Sequence, residues 1–384
     1  MMKRIGCVIA YKKDHTNYGT SLVGYALLRK LQQLGYDVEV IHYVKKPTIG
    51  EVVSIAINQV RVQGVSKFLK RFLPKPSDPD YVRGIKLRTD CVEAYKAKNL
   101  EPLFHDFVGF KALCEGSKKY DAVVVGSDQV WLPSGLKTKF FNLLFVDDSV
   151  RKVSYASSFG VSEIPRFQRR ETAKYLDRFH AISVRENKGK EIVESLSKNK
   201  ATIVADPTLL LSGKEWQEEA KDAPINKKEP YIFCYFLGAN PVAREAANQL
   251  RARTGYKIIT LRHMDEYIKE DDSFGDEAPY DVDPKGFVRL ISDADYVCTD
   301  SFHCSAFSIQ FHRKFMTFYR FGVGEKGGRN SRIDSLFDTL SIPKDHIYQG
   351  DIMKIEDAVD WEKVDKKLES LRLDSLGFIT KALV

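Results

Sequence analysis

Short apolar runs alternate with amphipathic stretches along almost all of this chain, and that alternation constrains its fold more than any other feature of the sequence. Residues 4–10 read as an apolar strand, 22–34 carry helical periodicity, Gly35 stops that helix, and 38–43 read as a second strand. Such a βαβ opening is the start of a parallel, doubly wound sheet. Residues 51–73 place apolar positions at helical spacing beside Arg61, Lys67, Lys70 and Arg71, and Pro74, Pro76 and Pro79 then break the pattern. The spacing predicts helices over 82–97 and 104–117, then a buried strand over 120–125 ending in Gly126. Strands over 152–156, 181–184 and 202–204 flank a helix around 166–179 and a shorter one, and the first domain closes near Asp206 and Pro207. After a polar stretch over 222–229, strands over 231–237, 257–261, 295–298 and 315–318 begin a second series, and 355–371 read as a closing helix that packs back across the first domain. The expected fold is α/β, with two Rossmann-like domains over residues 1–211 and 212–384 facing across a cleft. A length of 384 residues suits two such domains.

Composition removes several classes of function. The chain is 43% hydrophobic and 29% charged, with no low-complexity tract, which is the balance of a folded globular protein. The brief apolar run after Lys3 and Arg4 meets no small-residue cleavage site, and no apolar run approaches the ~20 residues needed to cross a bilayer. Cys7, Cys91, Cys114, Cys234, Cys298 and Cys304 lack framework spacing, as expected of reduced thiols in a cytoplasm. A formal charge of +8 favours anionic partners. No helix-turn-helix, zinc-finger or aromatic RNA-binding signature is visible, so nucleic acid is not expected among them. The basic helix over 51–73 fits a solvated surface or an anionic membrane face.

Ligands of open α/β sheets sit beyond the carboxyl ends of the strands, which directs attention to the loop after each apolar run. The first loop holds Asp14, His15, Thr16, Asn17, Tyr18 and Gly19, where Asn17 can cap the next helix and Gly19 lets backbone approach a ligand. The second, Ser127, Asp128, Gln129 and Trp131 after Gly126, offers hydroxyl, carboxylate, amide and indole in one span, the chemistry that binds a sugar. An N-cap by Asp128 and a core Trp131 would read the same way. Ser157, Ser158 and Gly160 can line the same cleft. Arg185 follows a buried strand and can fork onto a carboxylate or phosphate, or onto Glu186 or another structural carboxylate. In the run Thr299, Asp300, Ser301, Phe302, His303, the histidine falls in the first turn of a helix, where free N–H groups and the dipole favour an anion. Arg329, Asn330 and Arg332 bracket another helix start and make a second candidate anion grip. Cys298, His303 and Cys304 lie close in sequence without the spacing of a zinc site, so no metal is expected. GxGxxG, Walker A and GxSxG patterns are missing from the sequence.

Taken in order and spacing, Asn17 to Gly19, Gly126 to Trp131, Ser154 to Gly160, Val184 to Glu186, Asp206 to Thr208, Thr299 to His303, and Arg329 to Arg332 resemble the polysaccharide pyruvyl transferase family. The resemblance implies a fold similar to the B-type glycosyltransferases, with phosphoenolpyruvate as donor and no other cofactor. It implies transfer of a pyruvyl group, as a ketal, to a sugar of a surface polysaccharide or its lipid-linked precursor. The amino-terminal domain then takes the acceptor and the carboxy-terminal one the donor. On that reading His303 is the acid and Asp128 an acceptor-side catalytic residue. Arg185, Ser301, Arg329, Asn330 and Arg332 meet the donor, while His15, Asn17, Tyr18, Gly19, Ser127, Gln129, Trp131, Ser157 and Ser158 meet the acceptor. The chain departs from the family at Ser301, where many members carry arginine, so Arg329 or Arg332 has to supply that charge. A nucleotide-sugar glycosyltransferase and a non-catalytic glycan-binding subunit are the competing readings, and a cytoplasmic protein with peripheral contact to the inner membrane face suits all three.

Overall fold

The computed structural model describes residues 2–13, 16–69, 78–225, 229–264, 267–320 and 330–384, with Lys67 by its backbone alone. The first half runs β1 (Arg4–Val8), α1 (Tyr18–Gln33), β2 (Asp37–Val44), α2 (Ile49–Gln63), α3 (Val65–Leu69), α4 (Pro79–Asn99), β3 (Phe104–Val108) and α5 (Phe110–Ser117). It continues through β4 (Ala122–Asp128), β5 (Arg151–Ser157), α6 (Arg169–Leu176), β6 (Ala181–Val184), α7 (Asn187–Leu196) and β7 (Ala201–Ile203). Two short helices, α8 (Pro207–Leu210) and α9 (Gly213–Ala220), lead to β8 (Tyr231–Tyr235), α10 (Pro241–Thr254), β9 (Lys257–Thr260) and α11 (Pro284–Ser292). The chain ends with β10 (Tyr296–Thr299), α12 (Phe302–Gln310), β11 (Lys314–Thr317), α13 (Ser331–Leu340) and α14 (Trp361–Leu383).

Both sheets are parallel throughout, as expected when apolar strands alternate with crossover helices. The seven-stranded sheet has the order β3-β2-β1-β4-β5-β6-β7 and the four-stranded sheet the order β11-β10-β8-β9. Each order reverses once, between β1 and β4 in the first sheet and between β8 and β10 in the second. At such points the loops on either side splay apart and leave a crevice. The two crevices face one another. One core cluster draws on both sheets, from Ile5 and Val124 through Tyr18 to Phe287 and Phe307. Helix α14 is capped by Asp360, which accepts from Lys363 N at 3.0 Å, and it fastens the two parts together. Its Ser375 hydroxyl accepts from the Ala205 amide at 2.8 Å and Arg372 donates to the Leu209 carbonyl at 2.6 Å. Among the described residues no helix is long and apolar enough to cross a membrane.

The helix expected over 104–117 is two elements. Residues Phe104–Val108 pair with β2 as the edge strand β3, and only Phe110–Ser117 are helical. His105 and Asp106 hide the strand signal because an edge strand, less covered than a central one, tolerates polar residues on both faces. The long basic helix breaks at Gly64, whose φ of +83° is a left-handed value suited to glycine. Of its charged and breaking residues, Lys70, Arg71, Pro74 and Pro76 lie outside the described residues, as does the Lys67 side chain. The closing helix spans Trp361–Leu383 rather than 355–371, since residues Ile352–Glu356 form a separate 3-10 turn.

Candidate active site between the two sheets

Strand β4 is a run of buried valines that carries Asp128 out to the crevice at its last position. Asp128 adopts a φ of +69°, which is uncommon for a residue with a side chain. Its carbonyl accepts from Val130 N at 2.8 Å and from Ser158 N at 3.0 Å, and these two bonds fix the turn. The carboxylate accepts from Thr20 Oγ1 at 2.9 Å and from Arg185 Nη2 at 3.2 Å. Arg185 leaves the end of β6 and is fully enclosed: Nη1 donates to Asp206 Oδ2 at 2.8 Å, Nε lies 3.7 Å from Glu186, and the guanidinium covers the Phe302 ring at 4.9 Å. Asp206 follows β7 and caps α8, accepting from the Thr208 amide and hydroxyl at 3.0 and 2.8 Å. Ser127 adds a further bond to Asp206 at 3.3 Å.

These contacts divide the carboxylates. Burial pushes Asp128 up, but Arg185, His303, Arg332 and the Thr20 hydroxyl outweigh it and bring the group down to about 2. Burial also works against Asp206, yet the His303 ring and Arg185 hold it well below the usual carboxylate range. For Glu186 burial wins and the group is raised, although Arg185 and a 2.6 Å bond from Ser158 oppose it.

His303 enters from the opposite sheet. Ser301 caps α12, its hydroxyl accepting from Cys304 N at 3.4 Å, so His303 lies in the first helical turn as the sequence predicts. One edge of the ring is pressed on Gly19 of α1: a Cβ built there would stand 2.1 Å from His303 Nδ1. Gly19 therefore admits the imidazole rather than a ligand backbone. On the other edge Nε2 is buried, has no hydrogen-bond partner among the described residues, and stands 3.8 Å from Asp206 Oδ2, an ion-pair distance for a protonated ring. Beyond β11, Arg320 donates to the Asp300 carbonyl at 3.1 Å, and Asp300 is itself pinned by the Leu237 amide at 2.7 Å.

A cavity of about 560 Å³ opens between the sheets, a volume in the range of small-molecule sites. One wall is built from the second sheet and the start of α13 by His263, His303, Arg320 and Arg332, with Ser301 between them, and Lys12 and Lys45 reach the cavity from the first sheet. Asn17, Thr20, Asp128 and Gln129 meet it from the first sheet, beside the aromatic groups of Tyr11, Tyr43, Phe140 and Phe141.

Several expected site residues lie elsewhere. Trp131 does not face the cavity: its indole N–H donates to the Phe141 carbonyl at 3.0 Å, and the ring packs among Phe159, Tyr175 and Phe179. Tyr18 is core as well, stacked on Phe287 at 4.7 Å with its hydroxyl donating to Val282 O. Ser127, Ser157 and Ser158 are fully buried and spend their hydroxyls on Asp206, Ser154 and Glu186. Arg185, expected to grip a donor, lies behind the cavity wall within ion-pair distance of Asp128, Glu186 and Asp206 and acts as their counter-ion. Asn330 sits at the start of α13 beside Arg332, bordering a small recess rather than the main cavity. His15 and Arg329 lie outside the described residues, as does Asp14.

Thr20, His263 and Arg320 are not among the site residues expected from sequence, and Asp206 enters there only through the resemblance, without a role. Arg320 and His263 each come two residues after an expected strand, at 318 and 261, so the loop rule applied to the second half would have found them. Thr20 was hidden by its helical position, one residue past Gly19. Asp206 read as the end of a domain, and only the fold shows that β7 delivers it beneath His303. Among the described residues no group of three His, Cys, Asp or Glu side chains is placed to hold a metal ion.

Comparison with known proteins adds to this geometry. The family model described as "Polysaccharide pyruvyl transferase" matches residues 17–320, well over half of the chain. No curated protein matches. Among solved structures, the N-terminal domain of Candida albicans trehalose-6-phosphate phosphatase is similar at a TM-score of 0.51 and 10% identity, over 100% of this chain and 97% of that one. The UDP-GlcNAc 2-epimerase of Methanocaldococcus jannaschii has a TM-score of 0.48 and 12% identity over 95% and 92% of the two chains. The first of these likenesses shows a shared fold and nothing more.

Proposed function

Since this chain belongs to the polysaccharide pyruvyl transferase family, and so is a transferase, we propose that phosphoenolpyruvate is its donor and two hydroxyls of one sugar its acceptor. The sugar would belong to a surface polysaccharide or its lipid-linked precursor, and the product would be a pyruvate ketal plus phosphate. One observation carries this reading: His303, whose Nε2 has no hydrogen-bond partner among the described residues, lines the same cavity as Arg320 and Arg332. An anion with a protonatable carbon suits that grouping.

In the proposed reaction the donor's phosphate and carboxylate are held by Arg320 and Arg332, which take the place of the charge absent at Ser301. The phosphate beside the helix terminus stabilises the imidazolium. His303 gives its proton to the methylene carbon, the neighbouring carbon becomes cationic, and a sugar hydroxyl adds to it. The C–O bond to phosphate then breaks and a second hydroxyl closes the ketal. Of the two hydroxyl protons, one restores the imidazolium and one leaves on phosphate, so no other cofactor enters the balance. Asp128, held at about 2, binds a proton too weakly to serve as a base near neutral pH. Its part is to orient a sugar hydroxyl, with Gln129, Asn17 and Thr20 beside it and an aromatic ring under the sugar face.

A second reading, a nucleotide-sugar glycosyltransferase, draws on the cavity volume of about 560 Å³, which would also admit a diphosphate leaving group. Incubating the chain with acceptor extract and either phosphoenolpyruvate or nucleotide sugars decides between them. Phosphate release from phosphoenolpyruvate is the expected result, and consumption of a nucleotide sugar instead would overturn it. Acceptor binding without turnover of either donor would point to the glycan-binding subunit.

A further inference from the structure

Helix α2 is inside out. Its solvent face carries Ile49, Val52, Val53, Ala56, Ile57 and Val60, which at 100° per residue form one continuous stripe. Ile49 is 85% exposed, Val53 50% and Ile57 54%. The inward face holds the helix by polar contacts: Asn58 donates to the Pro133 and Ser134 carbonyls at 3.2 and 3.1 Å and accepts from Gln168 at 2.7 Å. A Thr48–Glu51 capping box fixes the start of the helix. Val65 and Leu69 of α3 extend the exposed apolar surface. A soluble helix normally turns such a stripe to the core, so this one calls for a covering partner.

The charge around the stripe selects the partner. Lys45 and Lys46 stand exposed just before α2, and Arg61 lies over the exposed Phe167 ring at 4.1 Å. Arg166, Arg169 and Arg170 are exposed on the segment that Gln168 docks against Asn58. The nearby carboxylates Glu51 and Glu171 are matched by Lys139 at 3.6 Å and Lys137 at 2.6 Å, which leaves Glu163 against that basic cluster. A second copy docking face to face would bring like charges together, whereas an anionic bilayer satisfies the stripe and its basic rim at once. Lys45 also lines the active cavity, so the stripe begins beside the cavity mouth.

We propose that α2 is an interfacial helix that lays its apolar stripe into an anionic membrane surface, presenting the cavity to a membrane-borne acceptor. The inference deepens the reading of the acceptor given above, but binding is measured without donor or acceptor, so its outcome is independent of pyruvyl transfer. The test is co-sedimentation of the full chain with phosphatidylcholine vesicles, with and without phosphatidylglycerol. The expected result is binding about tenfold stronger to the anionic vesicles, released by salt, and weakened about tenfold by Val53→Asp with Ile57→Asp. Both positions are exposed, so the melting temperature should match wild type. Should that pair unfold, Arg166→Glu with Arg170→Glu must weaken anionic binding alone. Binding that ignores anionic lipid overturns the proposal, as does a concentration-dependent dimer that Val53→Asp dissociates in the absence of lipid.

Discussion

The two sheet edges that meet across the cavity differ in the way their charged groups are used. The edge of the seven-stranded sheet holds Asp128, Asp206 and Glu186, all within ion-pair distance of the buried Arg185. The edge of the four-stranded sheet and the start of α13 bring His263, His303, Arg320 and Arg332 to the open cavity. The first set answers an internal need, since a buried arginine without carboxylates would be costly. The second set lines the cavity, with Arg320 steadied by the carbonyl and carboxylate of Asp300 at 3.1 and 3.4 Å. A site of this kind separates the groups that hold the protein together from those that can meet an anion, and substitutions on the two edges should fail in different ways.

The largest expected effect is on turnover. His303→Ala should lower the rate by about 100 to 10,000-fold, the usual worth of general acid catalysis, with a smaller loss of stability than Arg185→Ala because Asp206 keeps its arginine; pre-steady-state phosphate release and thermal melts check this. Arg185→Ala should do the reverse, removing about 3–5 kcal/mol of stability by stranding the buried Asp206 and Glu186, as urea unfolding would report. If Arg185→Ala folded normally and only raised the apparent donor Kd, the contrast between the edges would be lost. Arg320→Ala should weaken phosphoenolpyruvate binding about 10 to 100-fold, as loss of a charge-assisted contact does, which calorimetric titration measures. The smallest effect is reserved for Trp131→Phe, which leaves the Phe141 carbonyl without its donor. It should cost about 1–3 kcal/mol of stability with no change in acceptor KM, because the indole faces the core.

The edges also separate in acid. Asp128 and Asp206 have folded-state affinities for protons below their unfolded ones, so their contribution is complete above about pH 4 and is lost as pH falls toward 2. Glu186 is raised, so it has the opposite sign and favours the folded state most at low pH. Acid titration of wild type against Arg185→Ala, followed by circular dichroism, should show a smaller loss toward pH 2 in the variant, where His303 still lowers Asp206 and Asp128.

The alternation of apolar strands and helices was enough to expect two parallel sheets, because buried strands and crossover helices leave a periodicity that survives in one sequence. Edge strand β3 left none, since His105 and Asp106 break the apolar run. In the site, His303 and Asp128 were legible from their places after strands. Trp131 and Arg185 were misassigned for a common reason: a loop residue that turns back into the core looks the same in sequence as one that turns out. Direction there is set by tertiary partners, Phe141 for the indole and Asp206 for the guanidinium, and neither is near in sequence. Gly19 reads in sequence as a place where backbone meets a ligand, whereas what meets it is the His303 ring from the other half of the chain.

The central claim is that the cationic edge takes phosphoenolpyruvate with its methylene carbon at His303. A crystal structure with the donor bound tests it most directly. The account predicts phosphate or carboxylate oxygens within about 3 Å of Arg320 or Arg332 and the methylene carbon against the imidazole. A donor bound to Arg185, or seated outside the cavity with His303 untouched, would contradict it.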